Sequence, residues 1–200
     1  MNTLQKTPPA KLPTAYGQFT VIAYKDAHGE HLAVIKGKIK KNLVVRVHSQ
    51  CLTGDALASL RCDCGEQLHS SLQKIADAGG LLIYLQQEGR GIGLFNKILA
   101  YCYQDQGLDT VEANLKLGFK DDDRQYAIAA EILKDLGLTS IRLLTNNPRK
   151  VEGLEQAGIK VTQRVPLLTT PNSVNAAYLA VKQEKLGHQL EFSNKKEDKK

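Results

Sequence analysis

No stretch of this 200-residue chain is apolar over the roughly 20 positions that a membrane-spanning helix requires. Residues 1–13 carry no apolar segment of the kind that marks a secretory signal. The expectation is a cytoplasmic protein with reduced thiols and no membrane partner. No internal repeat and no low-complexity linker interrupts the chain. Aromatic residues make up only 6 %, and no zinc-finger spacing of Cys and His occurs. Both count against a zinc-stabilised nucleic-acid-binding module, so no nucleic acid is expected as partner. Cysteine is scarce too, four in all, which makes its placement informative.

What is present describes an ordinary folded domain. Hydrophobic residues at 42 % and charged residues at 24 % can build a core and a solvated surface, and the length suffices for one catalytic domain over 1–188. The net charge of +6 admits a polyanionic ligand. Part of that charge belongs to residues 189–200, where Lys195, Lys196, Lys199 and Lys200 alternate with Glu197 and Asp198; this is expected to be a disordered tail.

Three of the four cysteines, Cys51, Cys62 and Cys64, fall within fourteen positions, and Cys102 lies apart. In a reducing compartment such a group suits a soft divalent metal, zinc first. A closed structural site takes four protein ligands, and a catalytic one keeps a position for water. The local count favours three ligands, unless His48 or His69 supplies a fourth.

The first third reads as β, with β-branched runs at 19–24, 32–39 and 43–47 broken by Asp26-Ala27-His28-Gly29. The remainder alternates. Helices are expected at 66–78, 94–106, 123–136, 149–156 and 172–186, and strands at 81–85, 141–144 and 161–165. On the second helix Ile98 and Cys102 mark the expected buried face, with Tyr101 at its margin. The fold class is α+β with α/β-like character, a mixed sheet with an antiparallel N-terminal part and helices packed on it.

Three loops carry more polar chemistry than connection requires. Gln87-Glu88-Gly89-Arg90-Gly91-Ile92-Gly93 follows a strand and opens a helix, where backbone N–H groups attract an anion; a plain Gly-rich turn would read alike. Lys120-Asp121-Asp122-Asp123-Arg124 suits magnesium, proton transfer or phosphate contact, and equally a helix cap. Thr145-Asn146-Asn147-Pro148-Arg149-Lys150 can hold phosphate or base edges, or merely start a helix.

Read together, these stretches resemble GTP cyclohydrolase II, the family that commits GTP to riboflavin synthesis. The motifs are Arg46-Val47-His48-Ser49, Cys51-Leu52-Thr53-Gly54-Asp55, Leu60-Arg61-Cys62-Asp63-Cys64-Gly65, Gln87-Glu88-Gly89-Arg90, Asp105-Gln106-Gly107, Asp109-Thr110-Val111-Glu112-Ala113-Asn114, Leu117-Gly118-Phe119 and Leu143-Leu144-Thr145-Asn146-Asn147-Pro148. They keep the family's order from about residue 11 to residue 186, and the form expected is the stand-alone one. The resemblance implies hydrolysis of GTP to a diaminopyrimidinone ribosyl phosphate, formate and pyrophosphate. It implies one zinc per chain on Cys51, Cys62 and Cys64, magnesium with the triphosphate, and a homodimer. It assigns GTP binding to Arg46, Val47, His48, Ser49, Gln50, Gln67, Glu88, Gly89, Arg90, Thr110, Thr145 and Lys150. Asp122 matches the proton acceptor, Arg124 the residue assigned as nucleophile toward the α-phosphate, and Tyr101 a tyrosine tied to ring opening.

The chemistry also follows from the reaction. Formate must derive from C8 of the purine, the one-carbon unit between two nitrogens, and attack there needs a strong nucleophile at neutral pH, which zinc supplies from water. Pyrophosphate release is a separate event at the α-phosphorus and calls for cations. A guanidinium stays protonated, so Arg124 can serve as electrostatic stabiliser as well as nucleophile. Glu88 and Gln67 are candidates for reading guanine. The family usually has an acid where Gln50 stands. That departure keeps a second reading open, a GTP-binding relative that does not open the ring.

Overall fold

The computed structural model of the protein describes residues 4–119, 124–167, 169–184 and 187. Its strands are β1 (Gln5–Lys6), β2 (Ala10–Thr14), β3 (Gly17–Lys25), β4 (Glu30–Lys36), β5 (Leu43–Ser49), β6 (Gly80–Leu85), β7 (Ser140–Leu144) and β8 (Lys160–Val165). They form one sheet in the order β1-β3-β4-β6-β5-β7-β8, with β2 also paired to β3. The helices are α1 (Leu52–Asp55), α2 (Cys64–Ala78), α3 (Gly93–Gln104), α4 (Thr110–Lys116), α5 (Ala127–Asp135), α6 (Pro148–Gln156) and α7 (Ala176–Glu184), with a 3-10 turn at Glu88–Gly91. No helix among the described residues is long and apolar enough to cross a membrane.

Strand composition follows position in the sheet. β5 and β6 read Leu-Val-Val-Arg-Val-His-Ser and Gly-Leu-Leu-Ile-Tyr-Leu, and both are buried along most of their length. Near-continuous apolar runs are what a parallel strand covered on both faces needs. β5 pairs parallel to β6 (Val47 opposite Ile83) and to β7 (Val45 opposite Leu143). β3, β4 and β6 pair antiparallel. The sheet is thus mixed, antiparallel at its N-terminal side, as the sequence predicts.

The period-two alternation of a strand sends neighbours to opposite faces. Leu81, Ile83 and Leu85 join Val45, Val47, Ile132, Leu133 and Leu154 on the α5–α6 side. Leu82 joins Phe19, Val34 and Ile75 on the α2 side. Helices therefore cover both faces. After β5 the chain adds β6 on one flank and then crosses to β7 on the other. At such a switch point the connections leave the strand ends in opposite directions and open a crevice.

Several expectations shift at their edges. The strand expected over 32–39 ends at Lys36, and the helix expected over 94–106 spans Gly93–Gln104. The one expected over 123–136 spans Ala127–Asp135. The one expected over 172–186 spans Ala176–Glu184, with 185 and 186 outside the described residues. The tail expected at 189–200 lies outside them as well. β1, β2, α1 and α4 were not expected. α4 nonetheless has a sequence signal, because Asp109 accepts from the Val111 and Glu112 amides while Glu112 accepts from the Asp109 amide at 2.9 Å, a capping box.

Candidate active site

Cys51 follows β5 and caps α1, and Cys62 and Cys64 stand at the entrance to α2. The fold brings their sulfurs within 4.8 Å of one another, with Cys51 Sγ and Cys62 Sγ 3.7 Å apart. Three sulfurs bound tetrahedrally at about 2.3 Å from a zinc would sit about 3.8 Å apart. Gly54 backs the triangle: a Cβ there would lie 2.9 Å from Cys62 Sγ, 3.0 Å from Cys64 Cβ and 3.2 Å from Cys51 Sγ. A Cβ at Gly65 would run into the Gly54 carbonyl oxygen. Hydrogen bonds from Cys62 and Cys64, then the Lys97 ammonium, hold the Cys51 thiol far below the usual range. Cys62, whose proton is shared with Cys51, is pushed up to about 11. One thiolate forms readily and the next only if a cation compensates it. The donors, their spacing and the small residues around them fit a metal ion. Neither histidine completes the set: His48 Nε2 faces Asp55 at 3.1 and 3.2 Å, and His69 packs against Tyr16. Among the described residues the three cysteines are the one group able to hold a metal.

A polar layer fixes the thiols. Asp55 accepts from the Cys51 amide at 3.0 Å and the Tyr84 hydroxyl at 2.7 Å while facing His48. Burial holds the His48 imidazole below its ordinary range, against the pull of Asp55. Burial and the Asp55 carboxylate push the Tyr84 phenol up. Lys97, buried on α3, donates to Cys51 Sγ at 3.1 Å, Thr53 Oγ1 at 2.9 Å and Glu88 Oε1 at 2.9 Å. Burial works against its charge, but Glu88 and Cys51 outweigh burial and hold the ammonium above its ordinary range.

The thiols open onto a cleft of about 450 Å³ at the carboxyl ends of β5, β6 and β7, the switch point of the sheet. Residues from all three suspect loops line it. Arg46 lies in the cleft wall, donating to the Leu144 carbonyl at 3.1 Å and to Gln67 Oε1 at 2.6 Å, and Gln67 donates to Asp63 at 2.5 Å. Burial lowers the Arg46 guanidinium to about 10. Val47 packs in the core, and what it offers the site is a carbonyl that accepts from Lys150 Nζ at 2.6 Å. His48 Nδ1, Ser49 Oγ and Asn147 Nδ2 line the cleft buried and without a hydrogen-bond partner among the described residues. Gln50 lines it too, its amide held by the Leu85 carbonyl at 2.8 Å.

Glu88 accepts from the Leu52 amide at 2.6 Å as well as from Lys97. Gly89 and Arg90 both take left-handed backbone, φ 62° and ψ 31°. That conformation costs a non-glycine residue about 1–2 kcal/mol, and here it turns the Arg90 guanidinium toward the Tyr178 ring, 5.9 Å away. Thr110 opens α4, Thr145 caps the turn into α6 through the Asn147 amide, and Arg124 borders the cleft. Tyr101 lines the cleft with its hydroxyl 3.4 Å from Thr53 Oγ1 and the Arg61 guanidinium 4.7 Å over its ring. Burial pushes its phenol up. Asp122 lies outside the described residues. The buried face of α3 is corrected: Lys97 and Ala100 point inward, whereas Ile98 and Cys102 are exposed.

Residues 5–166 match the family described as GTP cyclohydrolase II. The chain belongs to the GTP cyclohydrolase II family. It is 53 % identical over 192 residues to GTP cyclohydrolase-2 of Proteus mirabilis, covering 94 % of this chain and 96 % of that one. It is 49 % identical over 201 residues to GTP cyclohydrolase-2 of Actinobacillus succinogenes, covering 98 % and 93 %. It is 53 % identical over 195 residues to the riboflavin biosynthesis protein RibBA of Chlorobium phaeovibrioides, covering 95 % of this chain but 48 % of that protein, so the chain spans about half its length. Among solved structures, a two-domain 3,4-dihydroxy-2-butanone 4-phosphate synthase from A. baumannii overlays with a TM-score of 0.43 at 23 % identity, covering 74 % of this chain and 36 % of that one.

In this GTP cyclohydrolase II chain, sequence reasoning passed over Lys97 and Tyr84, and named Asn147 only as part of the loop before α6. Lys97 had a visible signal. It is the only charged residue in Gly93–Gln104 and stands one turn before Tyr101, where i and i+4 side chains share a face.

Proposed function

We propose that this GTP cyclohydrolase II family member is an enzyme that hydrolyses GTP to the diaminopyrimidinone ribosyl phosphate, formate and pyrophosphate, the first step of riboflavin biosynthesis. The observation that carries this reading is one cleft lined both by three thiols at metal-binding spacing and by Arg90, Arg124 and Lys150. Purine ring opening needs the first and pyrophosphate departure needs the second.

Cys51, Cys62 and Cys64 would hold zinc, one per chain. When bound, zinc is a Lewis acid that supplies a water-derived nucleophile at neutral pH. The chain's own residues do the rest. Arg90, Arg124 and Lys150 spread the charge of the triphosphate, which arrives with magnesium. Thr145, Thr110 and the Gly89 amide are of the type that binds phosphate or ribose oxygens. His48 Nδ1 and Ser49 Oγ, buried in the cleft wall, find partners when a polar ligand enters. Arg46, Gln67 and Glu88 act through a fixed wall, since each is already engaged by protein groups. Gln50 completes the ligand-contact set. Tyr101 donates or holds a proton near the opening ring, and Asp122 is the proton acceptor in this scheme. The reading includes a single catalytic domain over 1–188, a cytoplasmic location, a homodimer, and no nucleic-acid or membrane partner. The exposed Phe95, Ile98 and Leu99 on α3 support a second copy as the partner.

Incubation with GTP, Mg²⁺ and Zn²⁺, with formate and pyrophosphate measured together, tests the proposal. Both products in equal amounts are expected. Gln50, in place of the usual acid, favours one rival, a GTP binder that leaves the ring closed; GTP binding without formate would establish that rival instead.

A further inference from the structure

The geometry points to Lys97 as a positioning residue that holds the Cys51 sulfur in its ligand position and offsets the negative charge of the three-thiolate site. This rests on the metal reading above and goes beyond it, since none of the expected site residues includes Lys97.

Three observations carry the inference. First, Lys97 Nζ touches Cys51 Sγ, Thr53 Oγ1 and Glu88 Oε1 at 3.1, 2.9 and 2.9 Å, while the residue is only 8 % exposed. Three acceptors use all three donors of an ammonium. Second, the contacts close a ring. Glu88, held by Lys97 through Oε1, accepts through Oε2 from the amide of Leu52, the residue after Cys51, at 2.6 Å. Cys51 is thereby held from its sulfur and from the backbone that follows it. Third, the ammonium offsets part of the buried negative charge. Three thiolates around a divalent cation leave one negative charge, and the Glu88 carboxylate beside them adds another. Burying two uncompensated charges is costly, and the Lys97 ammonium meets both at contact distance. A hydrogen bond to the Cys51 thiolate also withdraws electron density from that sulfur, which leaves a bound metal more electron-poor and more acidic toward its remaining ligand.

The test uses the full chain loaded with Co²⁺ as a spectroscopic substitute for zinc. Lys97→Met keeps length and apolar volume but removes charge and donors. Its metal affinity, from chelator competition, should fall about 10–100-fold, and the thiolate-to-cobalt charge-transfer band should move to longer wavelength. Lys97→Arg, which keeps the charge, should recover part of the affinity. With GTP, kcat should fall while KM changes little. Unchanged affinity and an unchanged band in a folded Lys97→Met protein would overturn the inference. So would a rise in KM alone, which would mean that Lys97 serves only to hold Glu88. Should Lys97→Met fail to fold, Lys97→Gln, which removes the charge and keeps two of the three donors on a shorter side chain, tests the same point: wild-type metal affinity would overturn the idea. A wild-type chain that binds no Co²⁺ would instead refute the metal reading itself.

Discussion

Gly54 shows how much a single hydrogen atom in place of a methyl can decide. It sits inside α1, where alanine would be the better helix former, and its φ is not in the left-handed region. Nothing about the backbone excludes a side chain. What excludes it is the sulfur triangle, since a Cβ would stand 2.9 Å from Cys62 Sγ and 3.2 Å from Cys51 Sγ. Both sulfurs belong to buried side chains with little room to retreat. Gly54→Ala should therefore open the triangle, with an overpacking penalty of about 1–3 kcal/mol. Metal content of the purified variant, measured after dialysis against a weak chelator, should drop well below one ion per chain. A variant that keeps a full complement with wild-type affinity would show that the sulfur triangle has room for a methyl at this position. The same position explains why the motif reads Cys-Leu-Thr-Gly-Asp: Asp55 must follow at once to accept from the Cys51 amide.

At the scale of the element, α3 presents two faces of opposite character. Lys97, Ala100 and Tyr101 turn to the thiols and the cleft, and Phe95, Ile98, Leu99 and Cys102 turn outward. Phe95 is 77 % exposed, and the outward residues stand at i, i+3, i+4 and i+7, a single stripe. If that stripe meets a second copy, Phe95→Glu should halve the mass seen by sedimentation velocity and leave metal content intact; a wild-type chain that already sediments as a monomer would remove the idea. This helix also shows where sequence reading fails. Its extent was legible from a periodic run between Gly93 and Gly107, but apolar residues occupy both sides, so periodicity could not say which side is buried. The charged residue on the inward face was the better guide. β1 and β2 were illegible for another reason. Gln5–Lys6 and Ala10–Thr14 are short and almost wholly exposed, with Pro13 inside β2, and they are strands only because the edge of β3 pairs with them. The central strands and the three polar loops were legible because composition alone marks a buried parallel strand and a ligand-bearing turn. The long-range hydrogen bonds of Arg46 to Leu144 and Gln67 and of Glu88 to Lys97 were not, since they join residues 9 to 98 positions apart.

Across the whole molecule, the edge of the antiparallel half is pinned to the helical layer of the parallel half by one small polar cluster. Lys6 on β1 donates to both Asp135 carboxylate oxygens at 2.7 and 2.8 Å, and the Tyr24 hydroxyl on β3 donates to the same carboxylate at 2.8 Å. Asp135 ends α5, so the cluster ties residues more than a hundred positions apart. The Lys6 ammonium above all, helped by the Tyr24 hydroxyl, holds the Asp135 carboxyl below the usual carboxylate range, against the opposing effect of burial. The sign follows from linkage. A carboxyl whose folded pKa lies below its unfolded value stabilises the fold above the unfolded pKa, near 3.9 for Asp, and that contribution vanishes as pH falls through the folded value. Lys6 is half exposed and Asp135 about a third, so solvent screening keeps the contribution under about 1 kcal/mol. Asp135→Asn keeps an oxygen that can accept from Tyr24 and removes the charge. The wild-type chain should be slightly more stable than this variant at neutral pH, by urea midpoint at low salt. The gap should narrow as the pH is lowered below the unfolded value, about 3.9, and through the lower folded one, and added salt should narrow it at neutral pH. A gap that stays constant across that range would mean that the cluster holds the two halves together by packing and neutral hydrogen bonds, with no contribution from the charge on Asp135.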